Sequence, residues 1–261
     1  MASSNREKKI GLIIGRFQPL TFAHLNQLLL PALSNCDQVI LLLGSSNDND
    51  NINNNNTVSQ NKKKEWHKRN PFPFVVREQM VRDTIASIEN PDYNDKLIIL
   101  PMPDATISGI PPSPIRVQRL ISTYGITPNS IQNYKPENIW YYYLGKILEK
   151  YISKGNIKII LYGSNKDPAT KAYLYKIVKL SLKELPFNTS FSDPQQNTDS
   201  TVNATKVRTA LFKTRRNISD MEYLTTYVPP PVLNIVIPMV NSMMNNTPRK
   251  KNKKTKKNED I

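Results

Sequence analysis

The sequence has little cysteine and no long apolar run. Cys36 is the single cysteine among 261 residues, so an intrachain disulfide framework is excluded and a reducing compartment is favoured. The longest apolar runs, QVILLLG and VLNIVIPMV, are far shorter than the ~18–20 residues that span a membrane. The opening residues, MASSNREKK, lack the apolar centre of a signal peptide. We therefore expect a soluble, cytoplasmic protein.

Positive charge exceeds negative charge, but the excess is unevenly spread. The formal net charge is +15, which favours a partner that carries phosphates. Residues 246–261 hold seven basic and two acidic side chains, and a second basic cluster, KKKEWHKR, runs from Lys62 to Arg69. We expect residues 246–261 to be a disordered, solvated tail. A weak nucleic-acid contact or a nuclear address in this tail is the alternative.

Apolar, β-rich runs alternate with helical patterns along the chain. This alternation predicts an α/β fold with a mainly parallel sheet and helices on both faces. The predicted strands cover 9–15, 38–44, 96–103 and 157–163, and the predicted helices begin near Phe22 and cover 70–88, 138–152, 206–213 and about 229–244.

We expect one folded domain over residues 9–245. A polar leader, residues 1–8, precedes it, and the basic tail follows it. Two segments interrupt the pattern: the asparagine-rich stretch 45–64, predicted to be a mobile loop, and the proline-containing insertion 106–137. No internal repeat is visible.

The segment GRFQPLTFAH, which follows the first predicted strand, concentrates the residues that suit an anion site. Gly15 lets the backbone approach a ligand closely, and the helix that follows directs backbone N–H groups toward the same place. Arg16 supplies a guanidinium suited to phosphate, and Thr21 and His24 are three apart at the start of a helix. Neither G-x-x-x-x-G-K-[ST] nor G-x-G-x-x-G is present, so the segment is neither a P-loop nor a dinucleotide fingerprint.

This segment resembles the signature of the H/T-x-G-H nucleotidyltransferase superfamily, and its GRFQP form is similar to the archaeal and phage type of nicotinamide mononucleotide adenylyltransferase. Further segments resemble that family in the right order: NPFPFVVREQM, LPMPD, YGSNKDPATKAYLYKI, VNATKVRTALF and YLTTYVPPPVLNIV. Ala23 and Ala204 stand where the family usually has glycine and a small polar residue.

The resemblance implies a Rossmann-like fold and transfer of an adenylyl group from ATP to nicotinamide mononucleotide, giving NAD and pyrophosphate. Mg²⁺ would accompany ATP through phosphate oxygens and water, with no metal ligands from the protein. No general base or nucleophile is assigned, because positioning and charge neutralisation suffice for such a transfer.

The resemblance also implies the site residues, by their numbers in this chain. The catalytic set is His24, Arg208, Arg16 and Lys166. The ATP-binding set is Gly15, Arg16, Phe17, Thr21, His24, Gly163, Lys166, Asp167, Thr205 and Arg208, with Thr205 expected to cap the late helix. The mononucleotide-binding set is Phe17, Arg77, Asp104 and Trp140.

Two other functions are left open by the sequence. One is a related nucleotidyltransferase with another phosphate acceptor, such as phosphopantetheine, flavin mononucleotide or a cytidylyl acceptor. The other is a nucleic-acid-binding protein built on the same scaffold. The oligomeric state is also open, with a homo-oligomer as one option.

Overall fold

The computed structural model describes residues 6–45, 61, 67–102, 136–151, 156–164, 176, 178–179, 189–197, 204–213 and 216–245. The predicted loop 45–64, the insertion 106–137 and the basic tail 246–261 lie almost wholly outside these ranges. Within them, no helix is both long and apolar enough to cross a lipid bilayer.

Five strands form one parallel sheet in the order β3-β2-β1-β4-β5. The strands are β1 (Lys8–Gly15), β2 (Gln38–Gly44), β3 (Leu97–Met102), β4 (Ile157–Ser164) and β5 (Thr189–Asn197). The first four confirm the predicted strands to within one residue. β5 was not predicted. Its sequence is polar and contains Pro194, at which the register with β4 shifts, as is usual for proline at a sheet edge.

The strands alternate their side chains between two apolar layers. On β1, Ile13 packs into one layer while Ile10 and Leu12 pack into the other, and on β2 Leu41 and Leu42 divide in the same way. All five side chains are fully buried. Because both faces of the sheet are covered, these strands read as continuous apolar runs, which is why the sequence predicted them.

Seven helices of the described chain cover the two faces. They are α1 (three consecutive segments, Phe22–His24, Leu25–Leu29 and Leu30–Asn35), α2 (Phe74–Ala86), α3 (Asp92–Lys96), α4 (Pro136–Tyr151), α5 (Ala204–Leu211), α6 (Ile218–Tyr227) and α7 (Pro230–Asn245). The middle segment of α1 is a π-helical turn just before Pro31, which lacks the N–H that a regular helix would use there. α3 and α6 were not predicted.

The helices divide between the faces as the fold class requires. Side chains of α1, α2, α5, α6 and α7 belong to one apolar layer, and Leu144, Ile147 and Leu148 of α4 belong to the other. The protein therefore has the predicted Rossmann-like arrangement of a parallel sheet with helices on both faces.

Three neighbouring strands end in or next to a glycine at one edge of the sheet. Gly15 ends β1, Gly44 ends β2, and Gly163 is the penultimate residue of β4. The chain continues from β1 to β2 on one side and places β4 on the other, so the order of the strands reverses at β1. Open parallel sheets bind ligands at such a reversal, outside the carboxyl ends of the strands.

Candidate anion site at the carboxyl edge of the sheet

Phe17 closes the turn that leaves β1. Its φ angle is +49°, in the left-handed region, and its side chain is only 2% exposed. A Cβ atom on Gly15 would lie 2.6 Å from Cε2 of Phe17. Gly15 is therefore required by the ring of Phe17, a different reason from the close approach of a ligand that the sequence suggested. The predicted ligand contacts of Phe17 stay a prediction, and the ring itself belongs to the core.

Thr21 and His24 form a reciprocal cap at the start of α1. The Thr21 N–H donates to Nδ1 of His24 over 3.2 Å, the two side chains lie 3.0 Å apart at Oγ1 and Nδ1, and the His24 N–H donates to Oγ1 over 3.4 Å. The His24 ring also packs on Phe17 with 4.5 Å between ring centroids. Because Nδ1 accepts a hydrogen from the backbone, the ring proton of this neutral imidazole is on Nε2.

Arg208 reaches from α5 to the same turn. Its Nη1 donates to the backbone carbonyl of Gln18 over 2.9 Å, and its Nη2 donates to Oγ1 of Thr205 over 3.2 Å. The prediction that Thr205 caps the helix is wrong, because α5 begins at Ala204 and Thr205 lies inside its first turn. Thr205 instead holds one nitrogen of the Arg208 guanidinium.

Two other guanidinium groups act on Arg208. Burial lowers the pKa of Arg208 below its ordinary value, and the positive charges of Arg16 and Arg69 lower it further. Arg208 keeps its charge at neutral pH all the same, because arginine does not deprotonate there. The positive field in which Arg208 lies suits a multiply charged anion.

Arg69 was missed among the site residues in the sequence. It lies at the end of the basic cluster Lys62–Arg69, directly before the NPF segment. That position was the available signal, but a basic cluster beside a polar loop reads more simply as a solvated surface. Its electrostatic effect on Arg208 is what distinguishes it from the other cations of the cluster.

Gln18 was also missed, although it lies within the GRFQP segment. Its side chain is buried and forms two hydrogen bonds with the backbone of Phe72: Nε2 donates to the Phe72 carbonyl and the Phe72 N–H donates to Oε1, each over 3.0 Å. Sequence reasoning had no access to this pairing, because the partners are 54 residues apart.

Arg77 has a supporting place beneath the site. It is 1% exposed, its Nη1 donates to the carbonyls of Arg16 (2.7 Å) and Gly44 (2.6 Å), and its Nη2 donates to that of Ser45 (3.3 Å). The guanidinium thus joins the ends of β1 and β2. Its predicted contact with the mononucleotide stays untested, and the geometry supports a role in positioning the turn.

Of the remaining predicted residues, the structure describes only some. Gly163 lies near the end of β4, where a Cβ atom would meet no heavy atom of the described residues within 4 Å. Trp140 belongs to α4, but the structure does not describe its side chain. Asp104, Lys166 and Asp167 lie outside the described residues. In the described part of the chain, no group of three or more histidine, cysteine, aspartate or glutamate residues could hold a metal ion.

Comparison with known proteins gives distant structural likenesses. No protein-family model matches the chain. A search of curated proteins likewise finds no match. Among solved structures, two of Plasmodium falciparum nicotinic acid mononucleotide adenylyltransferase, one complexed with NaAD and one with APC, are 14% and 13% identical to this chain with a TM-score of 0.39. Each of these alignments covers 89% of this chain and 96% of the other.

A third likeness is to Thermotoga maritima TmcAL bound with alpha-thio ATP. It has 12% identity and a TM-score of 0.40, and the alignment covers 90% of this chain and 56% of the other. Likenesses at this level show nothing about the activity of this chain.

Proposed function

We propose that this protein transfers the adenylyl group of ATP to nicotinamide mononucleotide, producing NAD and pyrophosphate. The observation that carries the proposal is the hydrogen bond of Arg208 to the Gln18 carbonyl, which places a guanidinium at the turn after β1, where the strand order reverses. The positive charges of Arg16 and Arg69 act on Arg208 as well, and a triphosphate offsets such repulsion better than a single phosphate because it carries more negative charge. The ordered series of segments that resemble adenylyltransferases adds the identity of the two substrates.

In the proposed reaction, an oxygen of the mononucleotide phosphate attacks the α-phosphorus of ATP. The bond from that phosphorus to the bridging oxygen breaks, and pyrophosphate leaves with the electron pair. The protein needs to align the two phosphates and stabilise the charge that develops on the oxygens of ATP. No covalent intermediate with the protein is required.

His24 is suited to donate to a phosphate oxygen of ATP. Thr21 holds its Nδ1 atom and so keeps the proton on Nε2, the ring nitrogen that is not engaged in the cap. Arg208 and Arg16 are assigned to the β- and γ-phosphates with Arg69 beside them, and Arg208 is held by Gln18 and Thr205. Mg²⁺ would bind through phosphate oxygens and water, without a ligand from the described residues, and would neutralise part of the leaving charge.

The other roles extend the same proposal. Gly163, Lys166 and Asp167 would bind ATP at the end of β4, and Asp104 and Trp140 would bind the mononucleotide. These five assignments rest on the resemblance alone. Arg77 is assigned to positioning, since its guanidinium already donates to the ends of β1 and β2.

The alternative keeps the ATP half of the site and changes the acceptor. A related nucleotidyltransferase acting on phosphopantetheine or flavin mononucleotide would need the same cations near β1 and a different pocket for its second substrate.

A second alternative is a nucleic-acid-binding role, which predicts an affinity that falls steeply with salt concentration and no release of pyrophosphate.

A single assay separates these functions. Purified protein is incubated with ATP and Mg²⁺ and, in parallel, with nicotinamide mononucleotide, nicotinic acid mononucleotide, phosphopantetheine or flavin mononucleotide, and pyrophosphate release is measured. The proposal expects release with one or both pyridine mononucleotides. Release only with another acceptor contradicts the assignment of the substrate, and no release with any acceptor contradicts the enzyme.

A further inference from the structure

Gln18 connects three parts of the chain that contribute cations to the site. Its amide nitrogen and oxygen bind the backbone of Phe72, and its own carbonyl accepts from Arg208. The side chain is 3% exposed, so these bonds are shielded from water. One residue thus ties the turn after β1 to the start of α2 and to α5.

The chemistry of the contact requires an amide. The backbone of Phe72 offers one donor and one acceptor, and the Gln18 amide presents the matching acceptor and donor in one plane. A carboxylate could only accept, and an apolar side chain could do neither. A neutral group also adds no negative charge to a place that must attract phosphates.

Each of the three arginines is close in the chain, or hydrogen bonded, to this connection. Arg16 is two residues before Gln18, and Arg69 is three residues before Phe72. Arg208 donates to the Gln18 carbonyl directly. Because like charges repel, these three groups stay together before an anion arrives only if the backbone that carries them is fixed.

We infer that Gln18 is a positioning residue for a polyphosphate site, because it fixes relative to one another the backbone segments that carry Arg16 and Arg69 and the guanidinium of Arg208. The inference deepens the proposed function and rests on it for the identity of the ligand. It adds a residue that does not itself touch phosphate and whose effect passes through the arginines. Displacement of a binding group by about 1 Å can cost on the order of a hundredfold, so the effect should be large.

The test measures the binding of ATP, and separately of inorganic tripolyphosphate, by calorimetry at a temperature well below the melting point of each variant. Gln18→Leu removes both bonds to Phe72, and we expect both dissociation constants to rise by roughly tenfold to a hundredfold. Gln18→Met also removes both bonds but keeps a side chain of similar length and no charge, so it provides the reading if the leucine variant does not fold, and we expect the same rise in both constants. Gln79→Leu is the matched control, since Gln79 is exposed on α2 and bonded to Asp83, and it should leave both constants unchanged.

A double-mutant cycle asks whether Gln18 acts through Arg208. If it does, Gln18→Leu weakens tripolyphosphate binding less in an Arg208→Ala background than in wild type, so the two effects are less than additive. Fully additive effects, or unchanged affinity in a folded Gln18→Leu variant with only a lower melting point, would overturn the inference and leave Gln18 a purely structural residue.

The same measurements separate this inference from the proposed function. If binding depends on Gln18 but the protein releases no pyrophosphate with any acceptor, the positioning role is supported and the proposed enzyme activity is contradicted. Normal turnover in Gln18→Leu, with an unchanged KM for ATP, supports the proposed enzyme and contradicts the positioning role of Gln18. A wild-type protein that binds neither ATP nor tripolyphosphate overturns both.

Discussion

The backbone N–H of Thr21 donates to Nδ1 of His24, and the two residues close a capping box at the start of α1. His24 therefore has a structural role whatever its chemical one. The cap uses Nδ1, and the proposed contact with ATP uses Nε2, so the two roles occupy different atoms of one ring. Substitutions can separate them.

His24→Gln should preserve the cap at the start of α1 and lower the rate of adenylyl transfer. Glutamine three residues after a threonine cap can reach back to the Thr21 N–H, so His24→Gln should melt close to wild type. It lacks the imidazole, and we expect kcat to fall by about 10²–10³. His24→Ala should lose the same rate and, in addition, about 0.5–2 kcal/mol of unfolding free energy. Near wild-type turnover in both variants would show that His24 serves the helix alone.

Arg208→Lys tests the fork of the guanidinium at constant charge. A lysine cannot donate to the Gln18 carbonyl and to Thr205 at once, so its charge should move relative to the phosphates. A hydrogen bond of a charged group is worth about 1.5–3 kcal/mol. We expect kcat/KM for ATP to fall roughly tenfold to a hundredfold. Arg82→Lys, exposed on α2 beside Glu78, is the control and should be neutral. Equal kinetics of the two variants would remove Arg208 from the site.

Gly15, which ends β1, and Gly163, which is penultimate in β4, should respond differently to alanine. In Gly15→Ala the new Cβ meets the buried ring of Phe17, and overpacking of this kind costs about 1–3 kcal/mol. In Gly163→Ala the Cβ enters open space, and the free energy of unfolding should change by less than about 0.5 kcal/mol. Urea unfolding measures both. If Gly163 also borders ATP, its variant should show a higher KM at unchanged stability, and an unchanged KM would exclude that contact.

Arg77→Met should be among the most destabilising changes in the chain. It removes the donors to three backbone carbonyls at the ends of β1 and β2, and each buried acceptor left without a donor costs about 1–3 kcal/mol. We expect a loss of at least about 3 kcal/mol in urea unfolding. Arg82→Met, which removes an exposed ion pair on the same helix, should cost under about 1 kcal/mol. Similar losses in the two variants would contradict the positioning role.

Asp220 should make stability depend on acid pH. The hydrogen bond from Lys213 lowers its pKa most, burial opposes this, and the Asn217 N–H lowers the pKa further. A folded pKa below the unfolded one means that the stabilisation is complete above the unfolded value of about 3.9 and is lost as pH falls through the folded value. Asp220→Asn should therefore be less stable than wild type at pH 7, and the difference should shrink below about pH 4. Glu222→Gln, exposed on the same helix, is the control; a difference that stays constant with pH would contradict the ion pair.

The sheet could be predicted, and the turn after β1 singled out, because local pattern decides both. Strands such as β1 and β2 are buried on both faces and need apolar residues throughout. β5 was not predicted because an edge strand tolerates polar residues and a proline such as Pro194. α6 was not predicted because its capping box consists of Asn217 and Asp220, in place of the usual serine or threonine with glutamate.

The missed parts of the site depend on contacts between distant residues. Gln18 meets Phe72 and Arg208, and Arg77 meets Gly44, across separations that no local pattern encodes. A polar residue in a turn therefore read as a ligand contact or as solvated surface. Only the folded structure shows that the side chains of Gln18 and Arg77 hydrogen bond to the backbone near Arg16 and Arg69.

The bond from Arg208 to the Gln18 carbonyl spans 190 residues of the chain. During synthesis, β1 to β5 are complete by residue 197, whereas α5 begins only at Ala204. A ribosome-bound chain can thus expose all five strands of this sheet while Arg208 is still enclosed in the ribosome. The proposed anion binding would then begin only in the nearly finished protein, and a nucleotide would stabilise the chain only after α5 has docked.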